Sequence, residues 1–197
     1  VASASTRFNL SRSGQADFVD GLYASGSFFD VLGVPIVLGR AFTASDDRRA
    51  GGIGGPVAVL EYGFWQRRFG GAADAIGQTI MLDRVPFTII GVASPAFFGI
   101  TVGRTFDVAV PLATEALVRG RDSALDRRSY WWLSVMVRLR PGQTIEQVTA
   151  SIRGIQPQVR EATRPDDWPA AIIATYLAEP FEFRAAATGD ESGLRTR

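Results

Sequence analysis

Apolar positions recur along this chain with two periods, and the alternation of period two dominates. In 17–24, Phe18 and Leu22 oppose Val19 and Tyr23, which predicts a strand. Val57, Ala58, Val59 and Leu60 form a short, wholly apolar run that reads as another. Ile80 and Leu82 alternate with Thr79 and Met81, Asp83-Arg84 turns the chain, and 86–92 returns as a second apolar run, together a hairpin. Residues 107–111 predict a further strand, ended by Pro111. The clearest alternation lies at 133–140. There Leu133, Val135, Val137 and Leu139 predict a buried face, and Ser134, Met136, Arg138 and Arg140 a mixed one. The Ser-rich first stretch, 1–13, alternates only weakly.

The helical period is read in three places. Ser27 is placed to cap a short helix, Asp30 suits its first turn and Gly33 its left-handed end, with Phe28, Val31 and Leu32 on a buried face. Tyr62, Trp65 and Phe69 form one stripe over 62–69, closed by Gly70-Gly71. Thr144 with Gln147 makes a capping box, and Ile145, Val148, Ile152, Ile155 and Val159 follow at helical steps. Pro157 is expected to kink or end that helix. A short apolar segment at 170–177 and a strand-like 181–183 close the folded part, and 185–197 is expected to fray.

Between these elements, 43–55 is polar and then Gly-rich. It precedes a strand, whereas a phosphate-binding loop follows one, so phosphate binding is not read there. Residues 120–128 are the most polar internal stretch and read as a linker. A strand–helix unit at each end with a sheet-rich middle gives an α+β chain of two lobes, the middle inserted into the pair formed by the ends.

Composition removes chemistries. The chain has no Cys and no His, and its 21 basic residues are all Arg. Thiolate catalysis, disulfides and zinc-thiolate sites are excluded, as are histidine bases and lysine Schiff bases. Carboxylates, hydroxyls and Arg remain. The acid pairs Asp46-Asp47, Asp166-Asp167 and Asp190-Glu191 are candidates for a carboxylate hydrolase, but they lie in polar, loop-like stretches that read as solvated acids and caps. No catalytic, cofactor-binding or metal-binding residue is assigned, and no enzyme activity is expected.

Net charge is +1, and the pairs Arg48-Arg49, Arg67-Arg68 and Arg127-Arg128 are dispersed, which argues against a nucleic-acid partner. No stretch reaches the roughly 20 apolar residues of a membrane span. A start at Val1 rather than Met suggests an excised fragment or a processed chain. The aromatic pairs are the candidates for partner contact: Phe97 and Phe98 in the Gly-rich loop 95–103, and Trp131 and Trp132 at the start of the 133–140 strand. Packing between the lobes is the competing reading for both pairs.

Five blocks in order carry a family resemblance. They are Gly26-Ser27-Phe28-Phe29-Asp30-Val31-Leu32-Gly33-Val34 with Gly39-Arg40; Val57 to Leu60 with Tyr62-Gly63-Phe64-Trp65-Gln66-Arg67-Arg68-Phe69-Gly70-Gly71; Gly77 to Leu82 with Pro86 to Val92; Val108 to Pro111; and Val137-Arg138-Leu139-Arg140-Pro141-Gly142. Together, over about 17–159, the chain resembles the MacB-like periplasmic core domain of FtsX/MacB-type ABC-transporter permeases.

The resemblance implies a discontinuous porter-like α/β lobe from 1–45 and 125–186, an inserted sheet-rich sabre-like lobe from 46–124, and a tail, 187–197, leading to a membrane helix. Gly189 to Arg195 resembles the stretch before the second such helix. The implied place is the periplasmic side of the bacterial inner membrane. The implied role is passing ATP-driven motion of membrane helices to periplasmic partners or substrate. The implied partners are transmembrane helices of the same chain, a cytoplasmic ABC ATPase reached through the permease, a periplasmic adaptor or substrate, and a second copy in the full-length form. The hairpin turn departs from the family's Asn-Gly, and Asp83-Arg84 suggests a different turn type; Ser27 stands where the family's cap is commonly Asn or Glu-like. The alternative function is a free-standing periplasmic ligand-binding or assembly module, with a real pocket.

Overall fold

The computed structural model, in which residues 1–10, 17–101 and 103–186 are described, turns the weakly alternating start of the chain into a full strand. β1 (Ala2–Asn9) pairs antiparallel with β2 (Phe18–Ala24), from Ser3↔Ala24 to Asn9↔Phe18. Its sequence, ASASTRFN, offers little hydrophobic contrast, so the cross-strand partner and not the side-chain pattern defines it. The Phe8 ring lies over Gly21 of β2, where a Cβ would stand 2.3 Å from it.

The remaining strands are β3 (Ile36–Gly39), β4 (Val57–Leu60), β5 (Thr79–Leu82), β6 (Val85–Ala93), β7 (Val108–Pro111) and β8 (Ser134–Val135). They form one mixed sheet in the order β3-β6-β4-β7-β2-β1-β8, with β5 paired to β6. β2–β7 and β4–β6 are parallel, and the other pairs are antiparallel. The sheet takes strands from 1–45, 46–124 and 125–186 alike.

Both faces of the sheet are covered, which explains the uninterrupted apolar runs of β4 and β7. Ala58, Leu60, Val108 and Val110 join Phe8, Tyr23, Phe87 and Ile89 in one cluster. Val57, Val59 and Ala109 join Leu22, Phe28, Phe29, Phe42 and Phe106 in the other.

α1 (Phe28–Leu32) ends, as the sequence predicts, on Gly33 in the left-handed region. Two expectations for it are corrected. Ser27 makes no side-chain cap, and the buried pair is Phe28 and Phe29, with Val31 and Leu32 only half-buried. The helix is only five residues long, and the adjacent Phe28 and Phe29 both enter the same buried cluster. α2 (Tyr62–Phe69) is capped by Glu61, whose carboxylate accepts the Phe64 amide at 2.7 Å. Phe64 is its buried residue, and Tyr62, Trp65 and Phe69 pack half-buried against the same cluster.

The hairpin turn also corrects the sequence reading. Asp83 (φ 48°) and Arg84 (φ 70°) both adopt positive φ, the backbone pattern of the type I′ turn that Asn-Gly favours. The turn type is therefore kept with less suitable residues.

The stretch 120–128 is not a free linker. It follows α3 (Glu115–Arg119), and the wholly buried Glu115 carboxylate accepts the Ser123 hydroxyl and the Ala124 amide, the latter at 2.9 Å. Beyond it, the strand predicted over 133–140 shrinks to β8, which pairs with β1 only at Ala2↔Val135 and Ser3↔Ser134. Of its expected buried face, Val135 and Val137 are exposed and Leu133 and Leu139 are only half-buried. α4 (Ile145–Ala162) has the predicted Thr144–Gln147 capping box and runs five residues past Pro157. Its apolar stripe is half-buried, with Ile155 exposed. α5 (Ala170–Ala178) fills the predicted apolar segment, whereas 181–183 has no regular structure. No described helix is long and apolar enough to cross a membrane. The tail 187–197, with Asp190-Glu191, lies outside the described residues.

Candidate functional site

The two predicted aromatic pairs sit in different surroundings, and each is split. Phe97 is half-buried, its ring centre 6.2 Å from Phe28, 6.3 Å from Phe29 and 5.9 Å from Phe106. It closes one end of an aromatic cluster. Its neighbour Phe98 points outward, 59% exposed. Trp132 is half-buried and packs edge-on against Tyr23 at 6.2 Å. Trp131 is 54% exposed but engaged: its indole N–H donates to the Tyr176 hydroxyl at 3.1 Å, and its ring lies 5.8 Å from Phe181.

Trp131 belongs to a cluster that the sequence did not reveal. Arg160, buried late in α4, lies over three rings, 5.1 Å from Trp131, 4.5 Å from Tyr176 and 4.7 Å from Phe181. Such cation–aromatic contacts strengthen when water is excluded. The only sequence signal is an Arg one residue after Val159 of the apolar stripe; its aromatic partners come from three separate segments.

A polar groove of about 290 Å³ opens where β1, β2, the hairpin turn and α3 meet. It is lined by Thr6, Arg7, Tyr23, Asp83, Arg119 and Asp122, with Val118. Burial pushes the Tyr23 hydroxyl well above its ordinary range, with the Arg119 guanidinium opposing and Glu115 and Asp83 adding to the rise. Among the described residues no group meets hydrogen-bond geometry with that hydroxyl, and it is a buried group at the groove wall near Arg119.

The candidate acids perform structural work. Asp46 takes a two-point ion pair from Arg40, at 2.8 and 3.0 Å, and accepts the Thr43 amide at 2.8 Å. The Arg40 bonds hold its carboxyl below the usual carboxylate range. Asp47 accepts the amides of Gly26 and Ala113 and so ties the 43–55 loop to two elements. Asp166 and Asp167 are exposed. Among the described residues, no three carboxylates stand close enough to hold a metal ion. Three of the six arginines in the dispersed pairs are engaged by acids: Arg49 by Asp126, Arg67 by Asp107 and Arg68 by Asp17.

Known proteins resemble this chain over most of its length. The family model described as the MacB-like periplasmic core domain matches residues 1–155. A probable export ATP-binding/permease protein of Pseudomonas fluorescens is 30% identical over 150 residues, 76% of this chain and 21% of that protein. The macrolide export ATP-binding/permease protein MacB of Burkholderia pseudomallei is 28% identical over 131 residues, 66% of this chain and 18% of that protein. The chain thus spans about a fifth of the length of these curated relatives. Among solved structures, the periplasmic region of MacB from Actinobacillus actinomycetemcomitans aligns with a TM-score of 0.50 at 15% identity, covering 80% of this chain and 66% of that one. That likeness concerns the fold.

Proposed function

The chain belongs to the MacB-like periplasmic core domain family, and on that premise we propose that it is the extracytoplasmic part of an ABC-transporter permease, on the periplasmic side of the bacterial inner membrane. In this reading membrane helices of the same polypeptide flank it, and a cytoplasmic ATPase drives them. The domain carries their motion to a periplasmic adaptor or to the exported substrate, and two copies meet in the full-length form. It performs no catalysis of its own.

The observation that carries this reading is the family match over 1–155. The pairing of β1 with β8 supports the coupling role, because it bonds the strand at the start of the chain directly to the half that holds α4 and α5.

Two observations test it. The full-length product must carry hydrophobic spans on both sides of this segment. Ile53, fully exposed on the Gly-rich loop, is a suitable reporter in a chain without cysteine. In a full-length protein with no other cysteine, Ile53→Cys should react in intact cells with a maleimide that enters the periplasm but not the cytoplasm. Labelling that requires lysis of the inner membrane would overturn the assignment.

A further inference from the structure

Residues 179–183 leave α5 without regular structure and without a strand partner among the described residues. Two side chains one turn apart on α4 hold them. Gln156 donates through Nε2 to the Glu179 carbonyl at 3.1 Å and accepts the Phe181 amide on Oε1 at 2.7 Å. Arg160 donates through Nη2 to the same Glu179 carbonyl at 3.1 Å and meets the Glu179 carboxylate at 3.6 Å. Its guanidinium also lies over Phe181, so one cation grips the segment by main chain, carboxylate and ring. The other walls, Trp131 and Tyr176, are fixed to each other by a hydrogen bond, and the Tyr176 hydroxyl is bonded to Thr163 at the end of α4.

One group in this arrangement is unsatisfied. Among the described residues, Arg160 Nε is buried with no acceptor. A buried donor without a partner is penalised relative to its hydrated state, so water would repay that donor when the segment lifts away. The fastening is many-pronged, local, and set against a built-in incentive to open.

We propose that Gln156 and Arg160 form a releasable strap that fastens the 179–183 arm to α4, and that its engagement decides whether motion on the C-terminal side of the domain reaches the sheet. The second half rests on the permease reading above; the first half stands on this geometry alone.

Hydrogen exchange on the chain tests the strap. Arg160→Met keeps the apolar stem and removes the fork and charge, and Gln156→Ala removes the other prong. In both, the Phe181 amide should exchange about tenfold faster than in the parent, while peptides from β2 and β6 are unchanged. Arg160→Lys should not restore protection, because an ammonium lacks the planar fork that stacks and donates together. Unchanged arm exchange in both variants, or an equal rise in β2 and β6, overturns the strap. In the full-length protein, Arg160→Met should lower export while ATP hydrolysis persists. Fast arm exchange with normal export overturns the coupling role and leaves the strap. A full-length product without flanking spans removes the permease reading and leaves the exchange result intact.

Discussion

Asn9 and Asp83 hold each other by two hydrogen bonds: the Asn9 amide donates to Asp83 Oδ1 at 3.0 Å, and the Asp83 amide donates to the Asn9 carbonyl at 2.9 Å. The end of β1 is thereby pinned to the turn of the β5–β6 hairpin. Asp tolerates the positive φ it adopts there, and Arg84 beside it does not do so readily. Arg84→Gly should therefore stabilise the chain by about 0.5–1 kcal/mol, and Asp83→Ala should destabilise it by about 1–2 kcal/mol. Urea unfolding of the two variants measures both signs.

Acid sensitivity should track Asp46. Its folded pKa is depressed, first by the Arg40 bonds and then by Thr43, against the opposing effect of burial. The unfolded value is about 3.9, so the contribution is complete above that pH and is lost as pH falls through the lower folded value. Arg40 is more than half exposed, and screening reduces the pair's worth to about 1–2 kcal/mol. Asp46→Asn should cost that much at pH 7, and the gap to the parent should narrow below about pH 4. A gap independent of pH would show that the carboxylate charge is immaterial.

The two members of the Phe97–Phe98 pair should separate. Phe97→Ser opens a hole in the aromatic cluster and should cost about 2–3 kcal/mol, less than a fully buried Phe because the ring is half-exposed. Phe98→Ser should move the melting temperature by no more than about 2 °C. If the 95–103 loop contacts a partner, the Phe98 variant in the full-length protein loses export at unchanged stability. Normal export would remove Phe98 from the contact surface.

Glu115 is a buried carboxylate whose oxygens serve Ser123 and Ala124. Glu115→Ala leaves both donors unpaired and should cost about 2–4 kcal/mol, whereas Glu115→Gln, which keeps one acceptor oxygen, should cost less. Denaturant midpoints report the difference, and an unchanged slope would show that the denatured state is not involved.

Much of the sheet was legible in the chain because its strands are buried on one or both faces. Val57 to Leu60 and Val108 to Pro111 announce themselves by unbroken apolarity, and Gly33 and the Thr144–Gln147 box mark helix ends by local chemistry alone. β1 escaped notice because Ala, Ser and Thr give no contrast, and it exists through its register with β2. The opposite holds at 133–140. Alternation states which side chains could share a covered face, but it cannot state that a cover arrives, and only Ser134 and Val135 find a strand partner. The aromatic pairs offered as candidates for partner contact were half legible for a related reason. Adjacent aromatics had to point apart on a strand or loop, but which member turned inward depended on distant Phe28, Phe106 and Tyr23. Arg160 could not be found at all without knowing that 131, 176 and 181 converge on it.

The unequal pairing of β1 fixes where the molecule yields under tension. Along β2 it is bonded in register from Ser3↔Ala24 to Asn9↔Phe18, so a pull along that strand loads many bonds at once and they resist together. Along β8 it is bonded only at Ala2↔Val135 and Ser3↔Ser134, beside two hydrogen bonds in which the Val1 ammonium donates to the Met136 carbonyl and the Met136 amide donates to the Val1 carbonyl. Force that draws the α4–α5 half away from the sheet would unzip that short seam bond by bond, long before the β1–β2 seam slipped. The domain thus has a graded mechanical order, with a short seam that would yield first and a long one that would keep the sheet whole.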